Sequence, residues 1–295
     1  MKVHPFIEAE KAAGHGVARA CRLLEVSRAA YYQRRTGFPS RRAATDAVIT
    51  VKITSIHKES QGTYGSPRMH QALRREGAGY GKRRVARLMR AAGLEGRRKK
   101  RWRTTTIADP AAERARDLIC RDFTPRPGTD QRYAGDITYV MTWEGWAYLA
   151  TVIDLSSRRV VGWALADHMR TELVEDALAM AFTQRRPRAG VIFHSDRGCQ
   201  YTSKDYAALA RANGVILSVS RKGQCWDNAV AESFFATIKR ELVNDRAWPT
   251  RAGLHRAVFD YIEGWYNTRR LHSALGYLSP AEYESIHHNA AHQAA

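Results

Sequence analysis

The chain has 295 residues and a formal net charge of +19, a length that allows about two domains. It contains no run of about 18 apolar residues, and its N-terminus lacks the apolar segment of a signal peptide, so a membrane or secreted protein is not expected. Its four cysteines form no CxxC pair. Their spacing argues against a zinc site or a disulfide framework and favours a reducing cytoplasm.

The positive charge is concentrated in the first third of the chain. Residues 1–104 contain 25 Lys and Arg against 7 Asp and Glu, whereas residues 105–295 contain 23 against 22. Apolar residues recur periodically in the basic part, so we expect it to fold rather than to form a solvated arm. The distribution predicts a polyanion-binding module followed by an ordinary globular domain.

Residues 1–36 have the pattern of a helix-turn-helix segment. Val17 and Cys21 belong to one helical stripe, and Ser27 can cap a second helix that carries Tyr31. In such a motif the second helix enters the major groove of DNA. A plain helical hairpin is the alternative.

A long amphipathic helix is predicted over about residues 43–59, after a linker at 37–42. Its apolar residues are Val48, Val51, Ile53 and Ile56. Ser66 is expected to cap the next helix, with Pro67 in its first turn, and Gly77 is expected to end it.

A third helix, about 81–92, completes a second helix-turn-helix candidate, and residues 43–104 are predicted to form a basic DNA-binding domain. The apolar residues of this helix are Val85, Leu88 and Met89. Its basic face is predicted to contact DNA through Lys82, Arg83, Arg84, Arg87 and Arg90. The basic run that follows is predicted to track the phosphate backbone, which gives salt-dependent affinity without sequence choice. That run begins with Arg97, Arg98, Lys99, Lys100 and Arg101.

The pattern becomes α/β over residues 129–284, after a connector at 105–128 and before a flexible tail at 285–295. Strands are predicted in YAGDITYVMT, WAYLATVIDL, RRVVGWALA, GVIFHSD and VILSVS. Helices are predicted after the third, fourth and fifth strands. This order is that of the ribonuclease-H-like fold, in which the first strand is central and lies beside the fourth.

Three carboxylates stand at informative places in this pattern. Asp136 interrupts a β-rich run, Asp196 ends an apolar run, and Glu232 lies where a helix begins. Taken singly, Asp196 suits a turn and Glu232 suits a first helical turn, whereas a carboxylate within a strand is rare unless it is paired or metal-bound. The strand order would bring all three together. They are therefore predicted to be the catalytic residues, holding two divalent ions for displacement at phosphorus.

Five motifs occur in order: DITYV, DLSSRRVVGWAL, HSDRGCQYTS, WDNAVAESFFATIKRE and NTRRLHSALGYLSPAEY. With the basic segments before them, they resemble the integrase-core part (OrfB-type, second reading frame) of frameshifting bacterial insertion-sequence transposases. These proteins belong to the DDE superfamily with the retroviral integrases.

The resemblance implies a DNA transposase that cleaves element ends and joins the 3′-hydroxyl to DNA. Asp136, Asp196 and Glu232 would bind two Mg²⁺ ions, for which Mn²⁺ can substitute, and Lys239 would contact DNA rather than form a surface salt bridge. The implied partners are double-stranded DNA at element ends and targets, further copies of the chain, and a DNA-binding protein from the upstream frame, which frameshifting can fuse to this chain. The implied location is the bacterial cytoplasm, at the nucleoid.

Two other functions stay open on the sequence: a DNA-binding repressor with an inactive core, and a nuclease for RNA–DNA hybrids. Several residues also keep two interpretations. His194 suits a metal ligand or a core residue, and Asp154 a fourth carboxylate or a turn residue. Arg269, Arg270 and His272 suit either DNA contact or closure of the domain.

Overall fold

The computed structural model describes residues 3–35, 37–97, 117–126, 128–196, 198–219 and 228–293. The chain divides into a helical unit, Met1–Gly96, and an α/β unit, Arg97–Ala295. Most of the predicted connector, and the backbone-tracking residues Arg98, Lys99, Lys100 and Arg101, lie outside the described residues. Across the described ranges, no helix combines the length and hydropathy needed to cross a bilayer.

The helical unit begins with three short helices. They are Val3–Ala12 (α1), Val17–Leu23 (α2) and Arg28–Arg35 (α3). The last two are the helix pair predicted from the sequence, and their buried residues Cys21 and Tyr31 pack with Ile7 of α1. The Tyr31 hydroxyl donates to the Glu8 carboxylate at 2.8 Å. Helix α1 was not predicted because it buries one apolar side chain, Ile7, and so shows no periodicity.

Three further helices complete the helical unit. They are Arg41–Glu59 (α4), Ser66–Arg75 (α5) and Lys82–Ala91 (α6). The predicted apolar face of α4 is partly wrong, since Val48 and Val51 are 59% and 71% exposed. Helix α4 instead buries Ile49, Ile53 and Ile56. These three follow the spacing of one helical face, which the two valines do not share.

The ends of α5 also differ in part from the prediction. Ser66 is the first helical residue and makes no cap, because the extended Gly65 precedes the helix. Pro67 lies in the first turn as expected. At the other end the left-handed Gly77, with φ of +81°, follows the last turn as expected. Helix α6 buries Val85, Leu88 and Met89, as predicted.

The α/β unit is built on a five-stranded sheet. Its strands are Arg132–Thr142 (β1), Gly145–Asp154 (β2), Val160–Ala166 (β3), Ile192–Ser195 (β4) and Ile216–Val219 (β5). The order across the sheet is β3-β2-β1-β4-β5. The first three strands pair antiparallel, whereas β4 is parallel to both β1 and β5. The prediction that the first strand is central and lies beside the fourth is confirmed.

In the described part of this unit, five α-helices accompany the sheet. They are Thr171–Arg185 (α7), Lys204–Ala212 (α8), Ala229–Ile238 (α9), Arg251–Phe259 (α10) and Pro280–Gln293 (α11). Helices α9 and α10 continue as π-helical turns over Lys239–Val243 and Asp260–Tyr266. The expectation of a flexible tail at 285–295 is wrong for its first nine residues, because α11 continues to Gln293.

A capping box explains why α11 forms. The Ser279 N–H donates to the Glu282 carboxylate at 2.8 Å, and the Glu282 N–H donates back to the Ser279 hydroxyl at 3.3 Å. Alanines in the stretch interpreted as a tail are also the strongest helix formers. The alanine-rich composition of this segment is therefore compatible with a helix, and the capping box fixes its first turn.

The main core lies between the sheet and helices α7 and α8. It includes Tyr133 and Phe193 from adjacent strands and Leu178 from α7. Strand β3 comes unusually close to α7 at Gly162, where an added Cβ would lie 2.1 Å from the Ala177 carbonyl oxygen. A glycine is therefore required at this contact between sheet and helix.

We predict that Gly162→Ala lowers the free energy of unfolding by about 1–3 kcal/mol, because the methyl group overpacks a backbone contact that cannot move away. Urea or thermal unfolding followed by circular dichroism would measure the change. Gly264→Ala is the control, since nothing lies within 4 Å of the added Cβ. Equal stability of the two variants would contradict the packing argument.

Candidate active site

The predicted carboxylates Asp136 and Asp196 are placed by the pairing of β1 with β4. These strands run parallel, and Ala134 is the partner of His194. Asp136 and Asp196 each follow two residues later, so they lie side by side along the same edge. Both are half-buried. Glu232 lies in the first turn of α9, which packs against β1, and it is exposed.

The three carboxylates interact electrostatically. The pKa of Asp136 is raised well above its ordinary value, first by desolvation and then by repulsion from Asp196 and Glu232. The hydrogen bond from the Ile137 N–H and the positive charge of Lys239 act in the opposite direction. Desolvation raises the pKa of Asp196, and desolvation together with Asp196 raises the pKa of Glu232. The site therefore gathers negative charge where water screens it poorly, and a cation placed there would be stabilised.

The donor set fits a hard divalent cation. Carboxylate oxygens are the ligands that Mg²⁺ prefers, and Mg²⁺ usually keeps several waters and takes substrate phosphate oxygens as well. Within the described ranges, no group of three or more His, Cys, Asp or Glu side chains is gathered closely enough to hold an ion alone.

Asn228 connects α9 to β1, although an asparagine at this position more often caps its own helix. It precedes the helix, but its side chain makes no capping hydrogen bond. The amide Nδ2 instead donates to the Gly135 carbonyl oxygen at 2.9 Å. Pairing of β1 with β4 ends at Ala134, so this carbonyl takes its donor from the side chain of a buried asparagine. Asn228 thereby holds the helix of Glu232 beside the strand of Asp136.

Lys239 lies beside the carboxylates. Its ammonium group is 5.0 Å from the centre of the Tyr139 ring. Desolvation lowers the pKa of Lys239, and the Asp136 carboxylate opposes that shift. Lys239 is therefore a half-buried cation near the site, whereas the nearby Glu241 is committed to a buried pair with Arg270.

The structure decides between the two interpretations of several other residues. His194 is buried, and its Nδ1 lies 2.9 Å from the Ser218 hydroxyl, which places it in the core. Asp154 accepts hydrogen bonds from the N–H groups of Asp130, Ser156 and Ser157 at 2.6–2.8 Å. Burial raises the pKa of Asp154 to about 6 despite these bonds. Asp154 therefore fixes the turn after β2.

Arg270 closes the domain. Its guanidinium donates to the Glu241 carboxylate at 2.9 and 2.8 Å, and the Tyr261 hydroxyl donates to the same carboxylate at 2.9 Å. All three side chains are buried. Arg269 is exposed and His272 is buried. Since Arg270 is enclosed in this network, it is not available to contact DNA.

The predicted DNA-binding residues of α6 fall into two groups. Lys82, Arg83 and Arg90 are exposed without a described ion pair. Arg84 is half-buried and donates to Asp46 at 2.7 Å, and Arg87 donates to the other oxygen of the same carboxylate. The pairing lowers the pKa of Asp46, with the hydrogen bonds from Arg87 and Arg84 as the largest causes. Asp46 was missed in the sequence because a single acid on another helix carries no local signal.

Arg97, the first residue of the α/β unit, also has protein partners. Its guanidinium donates to the Arg240 carbonyl oxygen at 2.9 Å and pairs with Asp245. The structure therefore places Arg97 against its own unit.

Family models match most of the chain. Residues 126–225 and 213–280 each match a model described as an integrase core domain, and residues 44–102 match an HTH-like domain. The chain is 38% identical to transposase InsF for insertion sequence IS3A of Escherichia coli, over 95% of this chain and 97% of the relative. It is 37% identical to an uncharacterised 31 kDa protein of insertion element IS600 of Shigella sonnei, over 92% and 99%. It is also 37% identical to the transposase for insertion sequence element IS904 of Lactococcus lactis, over 83% and 97%.

The similar solved structures include two viral integrase assemblies. A simian T-cell lymphotropic virus intasome in complex with the PP2A regulatory subunit B56 gamma aligns with a TM-score of 0.45 and 14% identity, covering 80% of this chain and 74% of that chain. The HTLV-2 integrase catalytic core domain in complex with magnesium, in its dimeric form, aligns with a TM-score of 0.40 and 13% identity, covering 52% and 96%.

We predict that Arg270→Met lowers the free energy of unfolding by about 3–5 kcal/mol, because it leaves the Glu241 carboxylate buried without its cation. The exposed Arg269→Met is the matched control and should change stability by less than about 0.5 kcal/mol. Chemical denaturation of both variants would measure this. Normal stability with weakened DNA binding in Arg270→Met would show instead that the residue contacts DNA.

Proposed function

The chain belongs to the family of bacterial insertion-sequence transposases with an integrase core domain, and we propose that Asp136, Asp196 and Glu232 are its catalytic carboxylates. Its function is DNA transposition by metal-dependent polynucleotidyl transfer. The observation that carries the residue assignment is the parallel pairing of β1 with β4, which puts Asp136 beside Asp196 near Glu232 of α9. The reaction we propose is cleavage at the ends of the element, followed by joining of the exposed 3′-hydroxyl to target DNA.

Integrase-core enzymes depend on divalent metal, and we propose two Mg²⁺ ions, for which Mn²⁺ can substitute. Asp136 and Asp196 would hold them, and Glu232 would complete one of the two sites. When bound, such ions activate the attacking oxygen and stabilise the leaving oxygen of an in-line displacement. The mutual repulsion of the three carboxylates supports this assignment, because bound cations would relieve it.

The remaining residues of the site orient the carboxylates and the DNA. Asn228 and the Gly135 carbonyl keep α9 against β1, so that Glu232 stays near the two aspartates. Lys239 lies near enough to Asp136 to interact with it, and we propose that its ammonium binds a DNA phosphate there. A half-buried ammonium binds phosphate more strongly than an exposed one, because water competes less.

We further propose that the helical unit binds duplex DNA through α6. Lys82, Arg83 and Arg90 are exposed cations of this helix without a described ion pair, and Asp46 holds Arg84 and Arg87 in fixed orientations on the same helix. The basic run from Arg98 to Arg101 would track the phosphate backbone, whereas Arg97 pairs with Asp245. Joining two element ends requires two active sites, so we propose assembly of several copies on DNA. We also propose an upstream-frame DNA-binding partner, which a frameshift can fuse to this chain. Such a protein would act on DNA in the bacterial cytoplasm, at the nucleoid.

We predict that Glu232→Gln abolishes strand cleavage and joining while leaving DNA affinity within about twofold, because the amide removes a negative ligand and preserves shape. The assay is cleavage and joining of a labelled duplex that carries the terminus of the encoding element, with Mg²⁺, with Mn²⁺ and with chelator. Glu172→Gln is the control, since Glu172 also lies in a first helical turn, that of α7, and is exposed.

Metal-dependent product from Glu232→Gln would contradict the assignment of the catalytic carboxylates. If neither protein gives product although DNA binding is tight and salt-sensitive, adding the upstream-frame protein decides the interpretation. Recovered cleavage would show that the partner is required, and continued inactivity would favour a repressor.

We predict that Arg83→Ala reduces the slope of log affinity against log salt by about one unit, because one phosphate contact is lost. Fluorescence anisotropy with duplex DNA at several salt concentrations would measure it. Arg74→Ala is the matched control: Arg74 is an exposed arginine of the neighbouring helix α5. An equal loss of slope in both variants would refute a specific role for α6.

A further inference from the structure

The β1–β2 hairpin exposes large side chains at its tip. Tyr139, Met141, Trp143 and Trp146 are 51%, 54%, 77% and 43% exposed. Met141 and Trp146 are direct cross-strand partners, and Tyr139 lies two residues before Met141 on the same face. The rings of Tyr139 and Trp146 are 5.1 Å apart and nearly perpendicular. We call these four residues the hairpin aromatic surface.

Hydrogen bonds fix the backbone of the hairpin that carries this surface. The Trp143 N–H donates to the Trp248 carbonyl at 3.0 Å, and the Thr142 hydroxyl donates to the Gly145 carbonyl at 2.6 Å. On strand β2, the Trp146 carbonyl accepts a hydrogen bond from the Arg251 guanidinium at 3.1 Å. The aromatic side chains are therefore presented on a fixed turn, which lowers the entropic cost of binding a ligand.

Lys239 connects this surface to the carboxylate site. Tyr139 follows Asp136 by three residues on β1, about 10 Å along the strand, and the two side chains leave opposite faces of the strand. Lys239 reaches both: its ammonium is 5.0 Å from the centre of the Tyr139 ring, and it interacts electrostatically with Asp136. A nucleotide whose phosphate reaches Lys239 would have its base within reach of Tyr139.

We propose that the hairpin aromatic surface stacks on an unpaired nucleobase of the DNA end, next to the reacting phosphate. The proposal rests on the function proposed above. Stacking on aromatic side chains is sequence-tolerant, because every base has a π-face. Two cations, Lys239 and Arg251, lie at the border of the surface, and the Glu144 carboxylate accepts the Arg251 N–H at 2.8 Å. These cations suit the phosphates on either side of a stacked base.

A second copy of the chain fits the surface less well. At about 200 Å² per large side chain, the exposed parts of these four residues offer about 450 Å². A stable interface buries about 800 Å² on each partner. The surface is thus the size of one or two bases rather than of a protein interface.

The test uses the full chain with Glu232→Gln, so that DNA is bound without being consumed. Three duplexes with the same paired sequence are compared by fluorescence anisotropy. One is blunt, one carries a short single-stranded tail on the first strand, and one carries the tail on the second strand. We expect the tail to strengthen binding on the order of tenfold to a hundredfold. Trp143→Ala should remove that gain and Trp143→Phe should restore part of it. Phe259→Ala, which removes a similarly exposed aromatic residue, should preserve it.

A second measurement locates the contact. With 5-iododeoxyuridine in the tail, irradiation should cross-link the base to Tyr139, Trp143 or Trp146, as identified by mass spectrometry. Equal affinity for blunt and tailed duplexes, or cross-links confined to other residues, would overturn the proposal. A dimer that forms without DNA and dissociates in Trp143→Ala would overturn it in favour of an interface between copies.

The proposed function is assessed separately by cleavage with the unsubstituted chain. Failure of cleavage while the Trp143-dependent gain persists would reject the catalytic assignment alone. Normal cleavage with no gain from the tail would reject the stacking surface alone.

Discussion

The parallel pairing of β1 with β4 is the constraint on which the carboxylate site depends, and Gly135 is the residue where its parts meet. A Cβ at Gly135 would lie 2.2 Å from Cζ of Phe193, so only glycine lets the β4 phenylalanine pack there. The Gly135 carbonyl accepts the Asn228 amide from the start of α9. Asp136 follows Gly135 directly, Asp196 follows Phe193 by three residues, and Glu232 follows Asn228 by four. One glycine thus links the three elements that carry the carboxylates.

That closeness has an electrostatic consequence. Desolvation raises the pKa of each carboxylate, and repulsion by neighbouring carboxylates raises the pKa of Asp136 and Glu232 further. Lys239 offsets part of this repulsion at Asp136. The buried pair of Glu241 and Arg270, by contrast, satisfies its charges internally and fixes the helix that continues from α9. The carboxylate site therefore carries negative charge that its own residues do not balance, and divalent cations bound there would compensate it while also binding DNA phosphates.

Much of this arrangement could be predicted from sequence because it depends on local pattern. The succession of strands and helices follows from the apolar runs, and its match to the ribonuclease-H-like fold predicts that Asp136 lies beside Asp196. The sequence fails to predict side-chain contacts where the partner of a residue is distant in the chain. An asparagine just before a helix is typical of an N-cap, but Asn228 bonds to a strand 93 residues away. Asp46 holds two arginines 38 and 41 residues away, which charge statistics do not reveal. Val48 and Val51 were assigned to a core because hydrophobicity alone does not identify which helical face is covered.

The hairpin aromatic surface is a second feature that sequence patterns alone do not predict. In sequence, Tyr139, Met141 and Trp146 continue an apolar strand pattern and suggest burial. The structure shows that β1 has eleven residues and β4 only four, with pairing between them confined to Arg132–Ala134. The end of β1 therefore extends beyond its neighbour, and side chains of a core-like pattern remain exposed. Such exposure is costly unless a ligand covers it. The difference in strand length that leaves Asp136 accessible at the sheet edge also leaves these aromatic residues accessible, which is why we assign both to the binding of one DNA end.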